Sequence, residues 1–340
     1  MRDRRGAGRR QTAAIMSSLN LRRLRQDAHV RALTRDIQVR QDQLIQPLFV
    51  GETNSQPEPI PGLTGTHQET PQTLLQQVER DLEAGVDKFL LFAVPAARSE
   101  RHIDWSFAVG QIAALKQRFG KDIWLATDVC LCSSTSHGHC GVLTAERDHV
   151  DNDASLIELV EAAVAYARAG ADCVAPSDMM DGRIGAIRQA LDSEKLERTV
   201  LMSYAVKFQS TLYGPFRVAA DAAPKGGTTL KDRSTYQLDP ARSDDPWQCA
   251  QRDAAEGADI LMVKPGLPYL DVLRELSREI RKPWAVYHVS GEFAALEALA
   301  AQGLAPRAAL HREILTAFRR AGANMIITYG ARFAREWLSA

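Results

Sequence analysis

Four short stretches decide the fold: AGVDK at 84–88, AGADC at 169–173, EGADI at 256–260 and AGANM at 321–325. Each sets a glycine at the end of a helix-like stretch and runs straight into an apolar segment. Glycine tolerates the left-handed backbone that closes a helix, so the pattern reads as a helix stop feeding a strand. Its recurrence is a weak internal repeat of one α-to-β turn.

Working outward, eight runs have strand length and strand composition: LIQPLFV (44–50), KFLLFAV (88–94), WLATDVC (124–130), CVAPSD (173–178), LMSYAVK (201–207), ILMVK (260–264), WAVYHVS (284–290) and MIITY (325–329). Most lack polar and apolar alternation, which suits parallel strands covered on both faces. Amphipathic stretches at 72–85, 155–169, 269–280 and 308–321 lie between them. Eight strand–helix units predict an α/β chain closed into a (β/α)8 TIM barrel. No GxGxxG follows the first run, which argues against an open dinucleotide-binding sheet.

The barrel is assigned to residues 41–340 and an N-terminal extended or helical arm to 1–40, where LRRLRQDAHVRALTR spans 21–35. Such an arm packs on another subunit or lies as a solvated helix. Residues 1–16 read as a disordered basic tail or as an over-long start with Met16 as the true first residue. Their Arg-rich, acid-poor composition also resembles a transit peptide. The 340 residues are 45% hydrophobic, enough for one barrel with extensions, and carry no formal net charge. That balance gives no reason to expect nucleic acid or an anionic membrane as partner. With no run of eighteen apolar residues and no signal-peptide core, the expected location is the cytoplasm.

In a barrel of this kind the chemistry sits at the C-terminal ends of the strands. Here those ends carry Asp128 and Cys130, Ser177 and Asp178, Lys207, Lys264, Ser290 and Tyr329. Only nine of the 42 basic residues are lysine, and two of these, Lys207 and Lys264, terminate apolar runs. Burial and a second nearby cation both lower an ammonium pKa, yielding the neutral amine that attacks a carbonyl to form a Schiff base. The alternative is that each lysine snorkels to solvent or pairs with an acid such as Asp178.

Three of the five cysteines, Cys130, Cys132 and Cys140, crowd into DVCLCSSTSHGHCG (128–141). In a reducing compartment such clustering favours a metal over disulfides, and three thiolates suit Zn²⁺. Three protein ligands and an open position mark a catalytic zinc; His137 or His139 as a fourth ligand would make a closed, structural one. Spacing leaves both open. Cys173 opens an apolar run and reads as a small core hydrophobe.

At these residues the chain resembles the porphobilinogen synthase (5-aminolevulinate dehydratase) family, zinc-dependent type, over about residues 20–335. The resemblance is carried in order by TDVCLC…HGHCG (127–141), APSDMMDGRI (175–184), MSYAVKF…YGPFR (202–217), DRSTYQ (232–237), MVKPG (262–266), YHVSGEF (287–293) and the closing strand to Tyr329. It implies a hydro-lyase that condenses two molecules of 5-aminolevulinate into porphobilinogen with loss of two waters, an early step of tetrapyrrole and haem biosynthesis. It implies Lys264 as the Schiff-base lysine for one substrate, whose carboxylate Ser290 and Tyr329 bind, and Lys207 as the lysine for the other. Arg217, Arg233 and Gln237 would hold the second carboxylate, a task suited to forked guanidinium groups. Tyr287, Ser177 and Phe208 complete the implied substrate-binding set, with Asp128 and Asp178 as candidates for steering protons. Zinc on Cys130, Cys132 and Cys140 would act as a Lewis acid or through bound water. Residues 208–235, with Gly226 and Gly227, resemble the family's active-site lid, and the family's usual assembly is a homo-octamer.

The chain also departs from the family pattern. Cys249 stands where many bacterial members place a glutamate for an allosteric Mg²⁺, so no magnesium is expected there. SST at 133–135, ARSERHIDWSFAVG at 97–110 and PGLTGTHQET at 61–70, which lacks an expected arginine, are atypical. Two rival readings remain at this level. A class I aldolase-like barrel leaves the second lysine and the thiols unexplained, and a divergent zinc-binding paralogue would bind metal without turnover.

Overall fold

A computed structural model describes residues 21–225 and 228–339. Eight parallel strands close on themselves: β1 (Leu44–Gly51), β2 (Lys88–Val94), β3 (Trp124–Val129), β4 (Cys173–Pro176), β5 (Val200–Lys207), β6 (Ile260–Lys264), β7 (Trp284–His288) and β8 (Met325–Thr328). Each pairs with the next, and β8 returns to β1 through Leu44 opposite Ile326 and Ile45 opposite Ile327. All eight expected runs are strands, and the (β/α)8 barrel is the fold. Strand positions are fully buried at Phe49, Leu90, Leu125, Val174, Leu201, Met262, Ala285 and Ile327, as sheets covered on both faces require.

The covering layer is α1 (Pro71–Glu83), α2 (Ser106–Phe119), α3 (Asn152–Arg168), α4 (Arg183–Ser193), α5 (Asp245–Ala255), α6 (Leu270–Glu279), α7 (Arg307–Ala321) and α8 (Ala334–Ser339). Two additional helices, Gly214–Ala219 and Ser290–Ala301, follow β5 and β7 at the C-terminal end of the barrel. The chain divides between Gln38 and Val39 into an N-terminal unit and the barrel unit. The described part of the N-terminal unit has a short helix, Ala28–Leu33, capped by Asp27, whose Oδ1 accepts the Val30 N–H at 3.0 Å. The expectations for residues 1–16 and for Gly226 and Gly227 lie outside the described residues.

The repeated turn works as its sequence implies. Gly85, Gly170, Gly257 and Gly322 all have φ between +85° and +120°. The residue after each glycine donates back into the last helical turn: Val86 to Asp81, Ala171 to Tyr166, Ala258 to Asp253 and Ala323 to Phe318. The acid or amide that follows then grips the neighbouring strand at its start. Asp172 Oδ2 accepts the Leu125 N–H at 2.8 Å, Asp259 Oδ2 that of Leu201 at 2.8 Å, and Asn324 Oδ1 that of Trp284 at 2.9 Å. One five-residue turn thus ends a helix and fixes the register of two strands at the base of the barrel. Asp172 also pairs with Lys116 Nζ at 2.8 Å. Replacing Asp172 by Ala is expected to cost about 1–3 kcal/mol, because the Leu125 amide loses its acceptor. Urea denaturation checks this, and an unchanged midpoint would show that the side chain contributes nothing to the register.

Candidate active site

Lys207 and Lys264 end adjacent strands and sit opposite each other in register. Their side chains are buried, with 5% and 4% of the residue exposed. The Lys264 Nζ lies 4.0 Å from the ring centre of Tyr287, 5.0 Å from those of Tyr204 and Phe216, and 5.4 Å from that of Tyr213. Lys207 Nζ donates to the Ser177 carbonyl. Burial, followed by the charge on Lys207, pulls the Lys264 amine down to about 7, while Asp128 works against both. The aromatic faces favour the ammonium by about 0.5–2 kcal/mol and so moderate the drop. At neutral pH a large share of Lys264 is therefore the nucleophilic free amine.

Asp128, near the end of β3, has an Oδ1 with no hydrogen-bond partner. Burial lifts its carboxyl, and Lys207 and then Lys264 hold it down. Asp178 is fully buried; its Oδ1 accepts the Met180 N–H at 2.7 Å and its Oδ2 has no partner. Burial raises Asp178 to about 6 against the pull of Arg183, whose Nε is 3.8 Å away. Arg183, at the start of α4, is itself fully buried; it pairs with Asp253 Oδ2 at 3.0 Å and donates to Ser203 Oγ and the Tyr204 carbonyl at 3.3 Å.

The sulfurs of Cys130, Cys132 and Cys140 all lie within 4.8 Å of one another, with Cys130 and Cys132 at 3.3 Å. All three residues are buried. Hydrogen bonds from the other two thiols and the nearby charges of Arg233 and Lys207 hold the Cys140 thiol well below its ordinary range. Three sulfurs so placed, one inclined to ionise, are a donor set that a thiophilic cation satisfies. Neither His137 nor His139 joins the group. His137 Nδ1 accepts the His139 N–H at 3.1 Å, and His139 Nδ1 lies 3.1 Å from the Tyr236 hydroxyl. The same Tyr236 hydroxyl accepts the Cys140 N–H at 3.3 Å.

One small cavity is lined by Asp128, Cys132, Ser177, Lys207, Tyr213, Phe216, Arg233 and Lys264. It brings both lysines, a thiol and a guanidinium to one space. Arg233 donates to the carbonyls of Gly138 and Ala222 but leaves its buried Nε unpaired, as does Arg217. Gln237 is buried with neither side-chain atom bonded. Ser290 Oγ accepts the Phe216 N–H at 3.0 Å, and the hydroxyls of Tyr287 and Tyr329 are 3.4 Å apart. Of the expected site residues, Cys130, Cys140, Asp178, Phe208, Arg217, Gln237, Tyr287, Ser290 and Tyr329 are not among the lining residues; Asp178 faces Arg183, and the Phe208 ring stacks on Tyr269 at 3.6 Å.

Sequence reading assigned no role to Tyr204, Tyr213, Phe216, Arg183 or Tyr236. Tyr204 escaped for a definite reason. Strict alternation puts it on the face opposite Lys207, but Leu261 pairs with Ser203 and Val263 with Val206, so β5 holds one extra residue. That bulge shifts the phase, and the Tyr204 ring lies 5.7 Å from Lys207 Nζ. Tyr213 and Phe216 stand in the YGPFR block but carry no charge to mark them. The buried Arg183 pairing predicts that Arg183→Ala costs about 3–5 kcal/mol by leaving Asp178 without its cation and Asp253 with Arg252 and Ser203 alone. Calorimetric unfolding measures this, and a loss below about 1 kcal/mol would mean that water enters and solvates the acids.

The sequence profile of delta-aminolevulinic acid dehydratase matches residues 18–337. Proteins of that description from Halalkalibacterium halodurans and Bacillus subtilis are 40% and 38% identical to this chain, each covering 94% of it and 96% or 97% of their own length. A crystal structure of delta-aminolevulinic acid dehydratase (porphobilinogen synthase) from Toxoplasma gondii ME49, in complex with the reaction product porphobilinogen, superposes with a TM-score of 0.90 at 40% identity. The match covers 94% of this chain and 91% of that one. The chain belongs to the delta-aminolevulinic acid dehydratase family of lyases.

Proposed function

We propose that this protein is a porphobilinogen synthase: it joins two molecules of 5-aminolevulinate and releases two waters, using imines on two lysines. The observation that carries this reading is the pair Lys207 and Lys264, buried side by side on one cavity with Asp128 and Cys132. A single-imine aldolase could use the second amine to lower the pKa of the first, but it leaves the three thiols unexplained. Family membership names the reaction, and the geometry supplies groups for each of its parts.

Lys264, a free amine in large part near pH 7, attacks the C4 ketone of one substrate and forms its imine with loss of water. The hydroxyls of Ser290 and Tyr329 receive that molecule's carboxylate, and Tyr287 orients Tyr329. Lys207 forms the second imine, close to the Ser177 carbonyl. Arg217, Arg233 and Gln237 take the second carboxylate; the unpaired Nε atoms of the two arginines and Nε2 of Gln237 are the donors it would satisfy. The unpaired oxygen of Asp128, between the two lysines electrostatically, accepts and returns protons as the imines form and the new ring loses hydrogen. Asp178 acts from behind this cavity through Arg183.

Cys130, Cys132 and Cys140 would hold a zinc ion with its fourth position open. When bound it supplies Lewis acidity toward the amino or keto group of the second substrate. Cys249 lies half-buried on α5, and the reading includes no allosteric magnesium there. A homo-octamer and a cytoplasmic location belong to the same family reading; among the described residues no helix is long and apolar enough to cross a membrane.

Purified protein given 5-aminolevulinate and zinc under reducing conditions is expected to yield porphobilinogen, detected with an aldehyde colour reagent. Borohydride added with substrate should mark Lys264 first, by peptide mapping. Chelation or Cys132→Ala should lower turnover by about 10²-fold or more, the usual cost of removing an electrostatic catalyst. Absence of product overturns the reaction, and marking confined to Lys207 overturns the division of labour between the lysines.

A further inference from the structure

The loop after β2 is where the chain departs most clearly from its family pattern, and the reaction above makes no use of it. Its residue Arg98 reaches two other segments at once. The guanidinium pairs with Asp221 Oδ2 at 2.5 Å, donates to the Asp221 carbonyl at 3.1 Å and reaches the Thr135 carbonyl at 3.5 Å. Asp221 follows the helix Gly214–Ala219 of the lid and holds a positive φ of 41°. Thr135 lies between Cys132 and Cys140.

Further bonds run along the same seam. Ser133 Oγ donates to the Ala220 carbonyl at 2.8 Å, and the Lys225 N–H to the His137 carbonyl at 2.9 Å. Ser99 N–H donates to the Ser134 carbonyl, and Glu100 receives Ser136 Oγ at 3.1 Å and Arg147 at 2.6 Å. A Cβ on Gly138 would lie 2.3 Å from the Ala223 carbonyl oxygen, so the cysteine loop and the lid touch backbone to backbone. Ser133 of the SST stretch thus bonds the lid, while Ser134 meets the loop at 97–110 through its carbonyl.

We propose that Arg98 is a positioning residue that latches the lid onto the three-cysteine loop. Only a forked guanidinium serves a carboxylate and two carbonyls from one place; a lysine ammonium cannot span them. The latch's purpose, keeping water from the imines, rests on the proposed reaction, whereas its existence does not.

Deuterium exchange of the backbone over residues 217–225, read on the zinc-loaded protein without substrate, tests it. Arg98→Ala is expected to raise exchange there about tenfold, with little change in barrel strands, as for a local opening. Arg98→Lys should restore part of the protection, and Asp221→Asn, a change at an exposed position, should reproduce part of the loss. In turnover, Arg98→Ala should lower the yield of borohydride-trapped imine at saturating substrate, an effect on kcat rather than KM. Unchanged lid exchange in both Arg98→Ala and Asp221→Asn overturns the latch, and Asp221→Asn decides alone if Arg98→Ala does not fold. Raised exchange in a protein that forms no porphobilinogen keeps the latch and removes the proposed reaction. Unchanged exchange in an active enzyme does the reverse.

Discussion

Two amines held side by side out of water cannot both keep a proton at little cost. That repulsion, added to burial, is the constraint around which the barrel mouth is organised. It requires β5 and β6 to be neighbours with Lys207 and Lys264 in register, which only the closed order of strands and its exact phase provide. It requires apolar surroundings, which the rings of Tyr204, Tyr213, Phe216 and Tyr287 supply around Lys264. It also requires a counter-charge weak enough not to restore the ammonium. Asp128 fills that place, its own ionisation opposed by burial.

The rest of the site shows unmet bonding capacity. Arg217, Arg233 and Gln237 keep buried polar atoms unpaired, at about 1–3 kcal/mol each by the usual penalty. A fold tolerates such a cost where a ligand repays it, and a carboxylate offers acceptors for all three. Arg217 and Arg233 both belong to the segment 208–235, and Arg233 lines the cavity. The cysteine loop meets the same segment at Gly138, which ties the three thiols to it.

Much of this was legible in the sequence because it depends on local rules. Helix-stopping glycines, apolar runs and charged residues at their ends are visible one segment at a time, and they marked all eight strands and the lysines. What escaped depended on geometry between segments. The phase of β5 turns on a bulge defined only by pairing with β6, which concealed Tyr204. Helices α2 and Ser290–Ala301 also carry apolar residues on their exposed sides, Ala113 on one and Ala295, Ala298 and Leu299 on the other, which blurs their period. Arg183 reads as a surface arginine until β5 and α5 pack against it. The choice between a three- and a four-ligand metal site likewise waited on where the imidazoles of His137 and His139 turned.

The barrel mouth works as described only if Lys264 is in large part a free amine at neutral pH. Competitive acetylation of the protein's amines from pH 5 to 11, quantified for the Lys264 peptide by mass spectrometry, measures it directly. The account predicts a reactivity midpoint near pH 7, moving upward when Lys207 is replaced by Met. A midpoint near the ordinary lysine value of about 10.4, unmoved by that replacement, would contradict it.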